Sequence, residues 1–481
     1  MPSLPITVIN EITGLVGQSR NAYMAMLKLQ YGPQWDAWLQ TESAELSKRI
    51  AQKKGTMFGQ MTVSVVPTAL PQAAGVSTFE GWQLPSPTTG TRVNTRMFAR
   101  DVVTRLRFTK QVQNAARAGD KAAWAKPRAA DLEDARLQSG LNWARKLYNG
   151  YYDILAQISA YDDEDAGPPV DPANATLYGR DSRTSGVTTP ANAYNFGDFY
   201  LRVNQAVGAV DASAVTGIAT AMGSNHATSA FENQISAIDS SDTTAPVVDF
   251  TPGPDADADE ETNFGFTPGA GDVLVPYASR KSTVNTDADA DSDYASMNGL
   301  DAIIKDSTFY PALYGLLKSS YTKLSGFHDD NAETQRPWTE RRLTLMTHRI
   351  RTEGTGGKPD AAMLDYSTLR EVVDENRGDR RFEPIQKGGG YSKNMQHTAG
   401  DVMTPYVADW LCPPGAVFVI DSSCFGYYEE SPMSPEPETR WVANYLQEEL
   451  NWHKSGNIEC RKPCNNGIID DLTFATQDLS A

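Results

Sequence analysis

Four aspartates at every second position form the clearest chemical pattern in this 481-residue chain: Asp287, Asp289, Asp291 and Asp293. A helix-loop-helix calcium site presents its first carboxylate ligands with this alternate spacing. Such a site also requires glycine at the sixth position and glutamate at the twelfth, where this chain has Ser292 and Asn298. The four aspartates are therefore candidates only for a weaker oxygen-ligand cation site, and a solvated acidic loop is the alternative.

The four cysteines do not have the spacing of a metal site. Cys460 and Cys464 are separated by three residues in the pattern C-x-x-x-C, while Cys412 and Cys424 lie far upstream. Tetrahedral zinc sites usually combine two tight pairs, and no second pair exists here. We predict free, buried thiols, and so few cysteines fit synthesis in a reducing cytoplasm.

Motifs for catalysis or cofactor binding are missing from the sequence. The glycines at 354, 356 and 357 precede a lysine, but Thr352 and Pro359 replace the glycine and the hydroxyl residue of a phosphate-binding loop. The five histidines are scattered, and neither a G-x-S-x-G nor a G-x-G-x-x-G motif occurs. The sequence therefore predicts no catalytic residue, no cofactor and no enzyme.

Charge is distributed unevenly along the chain. Residues 1–158 carry a balance of +8, residues 159–297 carry −17, and residues 298–481 carry −8. A chain with an acidic total does not look like a sequence-specific nucleic-acid binder, because phosphate contacts need clustered Lys and Arg. The length indicates two or three domains or one domain with a large insertion, and we expect neither a membrane span nor a secretory signal.

Apolar periodicity defines the elements of the C-terminal part. From Trp338 to Ile350 an apolar stripe indicates a helix capped by Thr339, formed by Leu343, Met346, Thr347 and Ile350. The glycines from Gly354 end it. A short apolar strand over 361–364, a helix that opens near Ser367 and a buried strand ending at Asp421 follow, the last entered through Pro413-Pro414-Gly415.

The N-terminal third alternates helices with a long two-stranded excursion. Two helices are expected before Gly55, the second starting near Trp35 and ending at Lys53-Lys54-Gly55. A strand over 61–67 leads into a Gly-, Pro- and Thr-rich segment over 75–90 and returns over 91–98. The returning strand is basic, and we predict that it contacts a neighbouring surface; a solvated charged face is the alternative.

Residues 127–158 have the strongest helical pattern. Seven apolar residues step by four and three from Leu137 to Ile158, which predicts one long helix acting as a strut. The following block, 160–297, is rich in small and acidic residues and poor in Lys and Arg. We interpret it as a partly folded insertion on the exposed side of the protein, with a flexible linker as the alternative.

This order of elements resembles the major capsid protein of tailed double-stranded DNA phages, the Hong Kong 97 fold, over the N-terminal third and over residues 298–471. The resemblance implies an α+β shell subunit. It divides the chain into an N-terminal arm (1–60), an extended loop (61–110), a peripheral domain with a spine helix (111–159), an acidic insertion (160–297), the peripheral domain continued (298–360), an axial domain (361–440) and return strands to the peripheral domain (441–481).

The resemblance also implies function. The subunit would assemble with itself into hexamers and pentamers of an icosahedral head, in the host bacterial cytoplasm, and remain in the virion. Expected partners are a scaffolding protein, a portal, a decoration or cement protein and non-specifically bound packaged DNA, with no membrane. Residues expected between subunits are Thr78, Phe79, Trp82, Arg92, Arg96, Arg100, Arg105 and Arg107. Alternatives are an encapsulin-like nanocompartment shell and an acidic calcium-dependent surface protein or hydrolase.

Overall fold

The chain combines helices with mostly antiparallel sheets, as a computed structural model shows, so the predicted α+β fold class is confirmed. The structure describes residues 45–50, 52–56, 60–69, 91–109, 143–153, 156–162, 174–178, 206–210, 233–239, 247–251, 272–276, 296–331, 336–375, 396–399, 402–409, 411–413, 415–435, 440–441 and 447–473.

The helical segments are α1 (Glu45–Arg49), α2 (143–148), α3 (Leu300–Ile304), α4 (Glu340–Thr352) and α5 (Tyr366–Glu375). The strands are β1 (Gln52–Thr56), β2 (Gln60–Ala69), β3 (Thr91–Phe98), β4 (Arg100–Thr109), β5 (Ala156–Asp162), β6 (Asn174–Tyr178), β7 (Ala206–Val210), β8 (Asn233–Asp239), β9 (Val247–Thr251), β10 (Val273–Pro276), β11 (Ala312–Leu313), β12 (Leu316–Leu317), β13 (Phe327–Asp329), β14 (Ala361–Leu364), β15 (Gln396–Ala399), β16 (Val402–Ala408), β17 (Val417–Ile420), β18 (Phe425–Pro435), β19 (Arg440–Trp441), β20 (Gln447–Cys460) and β21 (Gly467–Ile469).

A six-stranded sheet has the strand order β13-β21-β17-β14-β16-β15. We call this sheet, the helices on its two faces and the segments that join them the frame, and the sheet is its middle layer. Its strands β14 and β17 are buried at every residue, as their continuous apolar runs predict. Successive residues of a strand point to opposite faces. Val417 and Val419 therefore lie in one hydrophobic core, and Phe418 and Ile420 lie in the other.

Helices α4 and α5 cover the first face of this sheet. The buried residues of α4 are the four predicted ones, Leu343, Met346, Thr347 and Ile350, so that helix prediction is confirmed. Its N-cap is Thr339, although the side chain makes no capping hydrogen bond. In α5, Leu369 and Val372 are buried against the same face. Each fully buried aliphatic side chain contributes about 1.5–3 kcal/mol.

The second face packs against α2, α3 and α1. The ring of Tyr148 in α2 lies 5.6 Å, centroid to centroid, from the ring of Phe418. Leu300 and Ile303 of α3 and Leu46 of α1 are fully buried in the same core. The end of the segment predicted to be an arm is thus part of the subunit's own core.

A five-stranded sheet lies beside this core. The 14-residue strand β20 pairs antiparallel with β18 and β19, and also with β4. Strand β1 pairs parallel with β18. Strands β13 and β21 fall in segments assigned to the peripheral domain but share a sheet with β17, from the axial segment. The boundaries of the domains remain predictions.

Strand β1 corrects one expectation. The second N-terminal helix was predicted to end at Lys53-Lys54-Gly55, but these residues lie in a strand, and the helix ends at Arg49. Hydrogen bonding of β1 to β18 decides the conformation here, because a strand partner from a distant part of the chain overrides a local helical pattern. The first predicted helix and residues 35–44 lie outside the described residues.

The long helix predicted up to Ile158 also ends early, at residue 148. Gly150 lies beneath the ring of Tyr310, and a Cβ at this position would be 2.2 Å from the ring carbon Cζ. Asp153 then adopts a left-handed φ of 53°, and Ile158 belongs to β5. Ala144, Tyr148 and Tyr151 of the predicted apolar seam are nevertheless buried. The spine-helix prediction is therefore wrong beyond residue 148.

The described strands of the insertion, together with the start of β5 just before it, form a small closed barrel in the order β10-β5-β6-β9-β8-β7. The barrel starts at Ala156, four residues before the predicted boundary, and its last strand ends at Pro276. Closure leaves no unpaired sheet edge, which stabilises short strands of low apolar content. The acidic insertion thus contains a folded unit.

Candidate assembly surface

The predicted excursion is present as a two-stranded ribbon. Strands β2 and β3 pair antiparallel, from Gln60 opposite Phe98 to Ala69 opposite Thr91. The segment that joins them, including Thr78, Phe79 and Trp82, lies outside the described residues. We call β2 and β3 together the ribbon, and residues 94–98 the base of its returning strand.

The two faces of β3 differ in exposure. Arg92, Asn94 and Arg96 are exposed, whereas Thr95 and Met97 are fully buried. Because side chains alternate along a strand, the two arginines share one outward face. The predicted basic face is therefore present at Arg92 and Arg96, in a position where another molecule could contact it.

The other three arginines are placed differently. The strand is interrupted at Ala99, and Arg100 is only partly exposed, with its guanidinium carbon 5.8 Å from the centroid of the Phe98 ring. Arg105 and Arg107 belong to β4, where their backbone partners are Asn451 and Glu449 of β20. The single basic strand that the sequence indicated is thus two strands, and only β3 belongs to the ribbon.

A tight hairpin beside the ribbon was not predicted. Strands β11 and β12 are joined by Tyr314 and Gly315, whose φ angles of 53° and 75° fit the two central positions of a type I′ turn. The backbone N–H of Arg96 donates to the carbonyl oxygen of Tyr314 at 2.9 Å. Leu317 on this hairpin is 44% exposed. The sequence signal that could have predicted this hairpin is the dipeptide Tyr314-Gly315, which lies between the apolar pairs of β11 and β12.

Buried charges hold the base of the insertion. Asp153, which is fully buried, forms an ion pair with Arg145, whose Nη2 lies 2.9 Å from Oδ1, and it accepts hydrogen bonds from Asn149 Nδ2 at 3.1 Å and from Lys146 Nζ. Lys146 Nζ also donates to Ser296 Oγ at 3.1 Å, so it joins the outgoing and returning chain segments. Burial lowers the pKa of Lys146, and the Asp153 carboxylate opposes this shift. The segments that precede and follow the insertion are thereby held together.

A second buried network joins α3 to β21. Lys305 Nζ lies 2.8 Å from Asp470 Oδ2 and 3.4 Å from Asp301 Oδ1, and His328 Nε2 lies 3.5 Å from Asp470 Oδ2. The hydroxyl of Tyr310 donates to Asp301 at 2.9 Å. Burial alone would raise the pKa of Asp470, but Lys305 and His328 hold it well below its usual value.

Asp409 connects three elements in the core. Its Oδ2 accepts from the Tyr148 hydroxyl at 2.7 Å and from the Leu46 N–H at 3.3 Å, and its Oδ1 accepts from the Leu411 N–H at 3.1 Å. Burial raises the pKa of this carboxyl, while these hydrogen bonds lower it. Asp409 therefore fixes α1 and α2 to the segment that follows β16.

Neither a metal centre nor a reactive thiol was found in the part of the chain that the structure describes. No group of three or more His, Cys, Asp or Glu side chains there could hold a metal ion. Asp287, Asp289, Asp291 and Asp293 lie outside it. All four cysteines are free and buried, as predicted, and burial raises the pKa of Cys424 to about 11. No helix among the described residues is long and apolar enough to cross a membrane.

Comparison with known proteins gave matches among solved structures. One is the cyanophage A-1(L) capsid asymmetric unit, with 11% identity, a TM-score of 0.44, and coverage of 89% of this chain and 91% of that chain. The chain is similar to phage capsid structures. The satellite phage P4 procapsid including the size determination (Sid) protein matches with 8% identity and a TM-score of 0.35, over 96% of this chain and 99% of that chain.

The capsid of an empty GTA particle matches with 9% identity and a TM-score of 0.40, over 89% of each chain. No protein-family model and no curated protein matches the chain. With identities and TM-scores this low, the function has to be inferred from the chain's own residues.

Proposed function

We propose that the chain is the major capsid protein of a tailed phage, with the Hong Kong 97 fold. It assembles with itself into hexamers and pentamers of an icosahedral head that encloses double-stranded DNA. The observation that carries this proposal is the ribbon, a two-stranded excursion from the frame with one face of exposed arginines.

The energetics of the ribbon favour contact with a neighbour. Strand β2 has ten residues, so the ribbon reaches about 33 Å at roughly 3.3 Å per residue. A two-stranded sheet is at best marginally stable in water. Among the residues of β3 whose exposure the structure describes, the buried ones are Thr95 and Met97, at the base. A surface on a second copy would stabilise the part beyond that base.

The charge distribution supports the idea that the ribbon contacts a second copy of the same chain. The chain carries −17 in total, whereas Arg92 and Arg96 form an exposed basic face on β3. The frame exposes carboxylates, among them Asp306, Asp330 and Glu353. Opposite charges on two faces of one subunit guide head-to-tail contacts, which close into rings.

The insertion favours a phage shell over an encapsulin-like nanocompartment, which we expect to lack so long an insertion. A folded barrel occurs between Ala156 and Pro276, within that insertion. In the proposed role the protein is structural, with no catalytic activity. Its partners are a scaffolding protein, a portal, a decoration or cement protein and non-specifically bound DNA, and it is assembled in the host bacterial cytoplasm.

Assembly of the purified full-length chain tests the proposal. Gel filtration and negative-stain electron microscopy, with the scaffolding protein if assembly needs it, should show closed particles. Particle diameter and DNA content then separate a phage head from a nanocompartment. A monodisperse monomer under all assembly conditions, with a thermal stability that changes with calcium, would instead indicate the calcium-dependent surface protein.

A further inference from the structure

The backbone pairing that could orient the ribbon stops at its base. The β4–β20 ladder runs from Thr109 opposite Gln447 to Arg100 opposite Gly456. One residue further, at Ala99, the strand is interrupted, and the residues before it form β3, which pairs with β2. The position opposite Ala99 on β20 is Asn457, which is 1% exposed. The backbone pair that would come next, between Ala99 and Asn457, is thus absent from the ladder at the point where the ribbon begins.

The side chain of Asn457 provides a hydrogen bond to the ribbon at this position, where the backbone pairing ends. Its Nδ2 donates to the carbonyl oxygen of Phe98, the last residue of β3, at 2.8 Å. Its Oδ1 accepts from the N–H of Ile458 at 2.8 Å and from the N–H of Asn298 at 3.0 Å. One buried amide therefore joins the ribbon's returning strand, β20 and the segment that returns from the insertion.

Tyr314 closes the edge of β20 beyond Asn457. Its hydroxyl accepts from the Cys460 N–H at 2.8 Å and donates to the Ile458 carbonyl oxygen at 3.1 Å. Its own carbonyl oxygen accepts from the Arg96 N–H. The hydroxyl satisfies backbone groups that a neighbouring strand would otherwise bond, which explains why β20 needs no further partner here.

Two kinds of contact hold the ribbon's base, and they have different consequences. Thr95 and Met97 bury one face of β3, but apolar burial is non-directional, and an unbranched methionine adapts to several arrangements. A hydrogen bond requires a particular angle at the donor and acceptor. Two hydrogen bonds reach the base of β3: the Arg96 N–H donates to Tyr314, and the Asn457 side chain donates to Phe98. The bond from Asn457 is at the last residue of β3, beside the interruption at Ala99, where a small rotation moves the whole ribbon.

We propose that Asn457 is the positioning residue that sets the direction in which the ribbon leaves the subunit. The Asn457 side chain bonds Phe98 and Asn298 at the same time. The ribbon therefore has a fixed direction relative to the segment that returns from the insertion. That this direction matters for shells depends on the proposed function. The direction itself can be measured in unassembled subunits, so the two ideas can fail separately.

The test measures the direction by double electron–electron resonance in the full-length chain. Spin labels at Asn94→Cys on the ribbon and Ser320→Cys on the frame occupy exposed positions, whereas the four native cysteines are buried. Asn94 lies four residues from Phe98, about 13 Å along the strand. A rotation of about 20°, similar to the twist between adjacent strands, would move that label by about 5 Å.

Asn457→Asp replaces the Nδ2 donor by an oxygen that faces the Phe98 carbonyl, and Asn457→Ser removes the donor without burying a charge. We expect both variants to shift or broaden the distance distribution by about 5 Å. Asn451→Asp places the same carboxyl on β20, six residues from the junction. Thr368→Val removes a buried hydrogen bond, the one that the Gly415 N–H donates to the Thr368 hydroxyl of α5, on the opposite face of the six-stranded sheet. Both controls should keep the wild-type distribution.

Each outcome decides between the possibilities. A wild-type distribution in folded Asn457→Ser would overturn the proposal, as would equal changes in the controls at matched loss of thermal stability. If the wild type forms no particles but Asn457→Ser still redirects the ribbon, the positioning role stands and the capsid function fails. If the wild type assembles, Asn457→Ser should give fewer closed shells, or shells of irregular size, from folded subunits.

Discussion

The six-stranded sheet and the ribbon use the same element, the β-strand, in opposite ways. Strands β14 and β17 are buried at every residue between two helical layers, and their neighbours in the sheet come from widely separated parts of the chain. In the ribbon, β3 alternates exposed and buried residues, and its strand partner is its neighbour in sequence. The sheet therefore stabilises the subunit, whereas the ribbon presents a surface.

This difference separates two kinds of mutational effect. Changes in the frame should lower the free energy of unfolding of the subunit, and assembly should fail as a consequence. Changes in the ribbon should leave the folded subunit intact and affect only its association. Each prediction below tests this separation, beginning with the largest expected effect.

Phe418→Ala should have the largest effect on the frame. Phe418 is fully buried and packs against Tyr148, so truncation leaves a cavity and should cost about 3–5 kcal/mol of unfolding free energy. Urea unfolding followed by circular dichroism measures the loss. Leu345→Ala is the control, because Leu345 is 52% exposed on α4 and should change stability by less than about 0.5 kcal/mol. Equal effects of the two substitutions would contradict the description of the core.

Asp470→Asn should destabilise the frame in a pH-dependent way. Removing one partner of a buried ion pair costs about 3–5 kcal/mol, and Asp301 still faces Lys305, so we expect the lower value. The pKa of Asp470 is depressed in the folded chain, so its contribution is present above the ordinary value of 3.8 and is lost as the pH falls below it. Urea unfolding from pH 7 to pH 2.5 should show the difference between wild type and variant shrinking below pH 4. If the difference in unfolding free energy between wild type and variant grew as the pH fell, the predicted direction of the pH dependence would be wrong.

Deletion of residues 78–88 should separate folding from assembly. The base of the ribbon keeps its contacts through Thr95 and Met97, so circular dichroism and the thermal midpoint should stay near wild type. Particles should be lost or greatly reduced in electron micrographs, because the deleted segment contains Thr78, Phe79 and Trp82, which we expect at the neighbouring subunit. If the deleted chain unfolds as a monomer, the segment belongs to the subunit's own core.

Sequence periodicity predicted the elements whose conformation depends on local pattern. The apolar stripe of α4 and the buried strand β17 were both predicted, because each pattern lies within a single element and faces one core. The ribbon was predicted from turn residues between two strand-like runs. These features need no knowledge of which distant segment becomes the neighbour.

The elements that sequence reasoning missed depend on long-range contacts. The helix ends at residue 148, and Gly150 just beyond it packs closely against the ring of Tyr310, 160 residues away in the chain. The barrel needs pairing between strands as distant as β5 and β10. Asn457 has no motif around it, and the role that we propose for it follows from its hydrogen bond to Phe98, 359 residues away in the chain. Non-local partners such as these leave no periodic signal in the sequence.

The double change Arg92→Glu and Arg96→Glu should block assembly without unfolding the subunit. Both side chains are exposed, so the thermal midpoint of the monomer should change little. Charge reversal turns attraction to an acidic neighbour into repulsion, and repulsion is strongest at low ionic strength, where the Debye length is longest. Light scattering during assembly, from about 0.05 to 0.5 M salt, should show the defect weakening as salt rises. If neither the charge reversal nor the salt concentration changed the extent of assembly, the alternative of a solvated basic face would be favoured.

A single Arg92→Ala change should have the smallest effect. An exposed ion pair contributes about 0–1 kcal/mol, so losing one arginine weakens each contact by at most about fivefold, since 1.4 kcal/mol corresponds to a factor of ten. Shells should still form, at a subunit concentration higher than wild type by no more than that factor, as static light scattering can measure. Asn94→Ala is the control on the same exposed face, and it should not shift the concentration. Complete loss of shells in Arg92→Ala would mean that this arginine is buried and paired in the assembled interface, where removing one partner of a charge pair costs far more than at an exposed site.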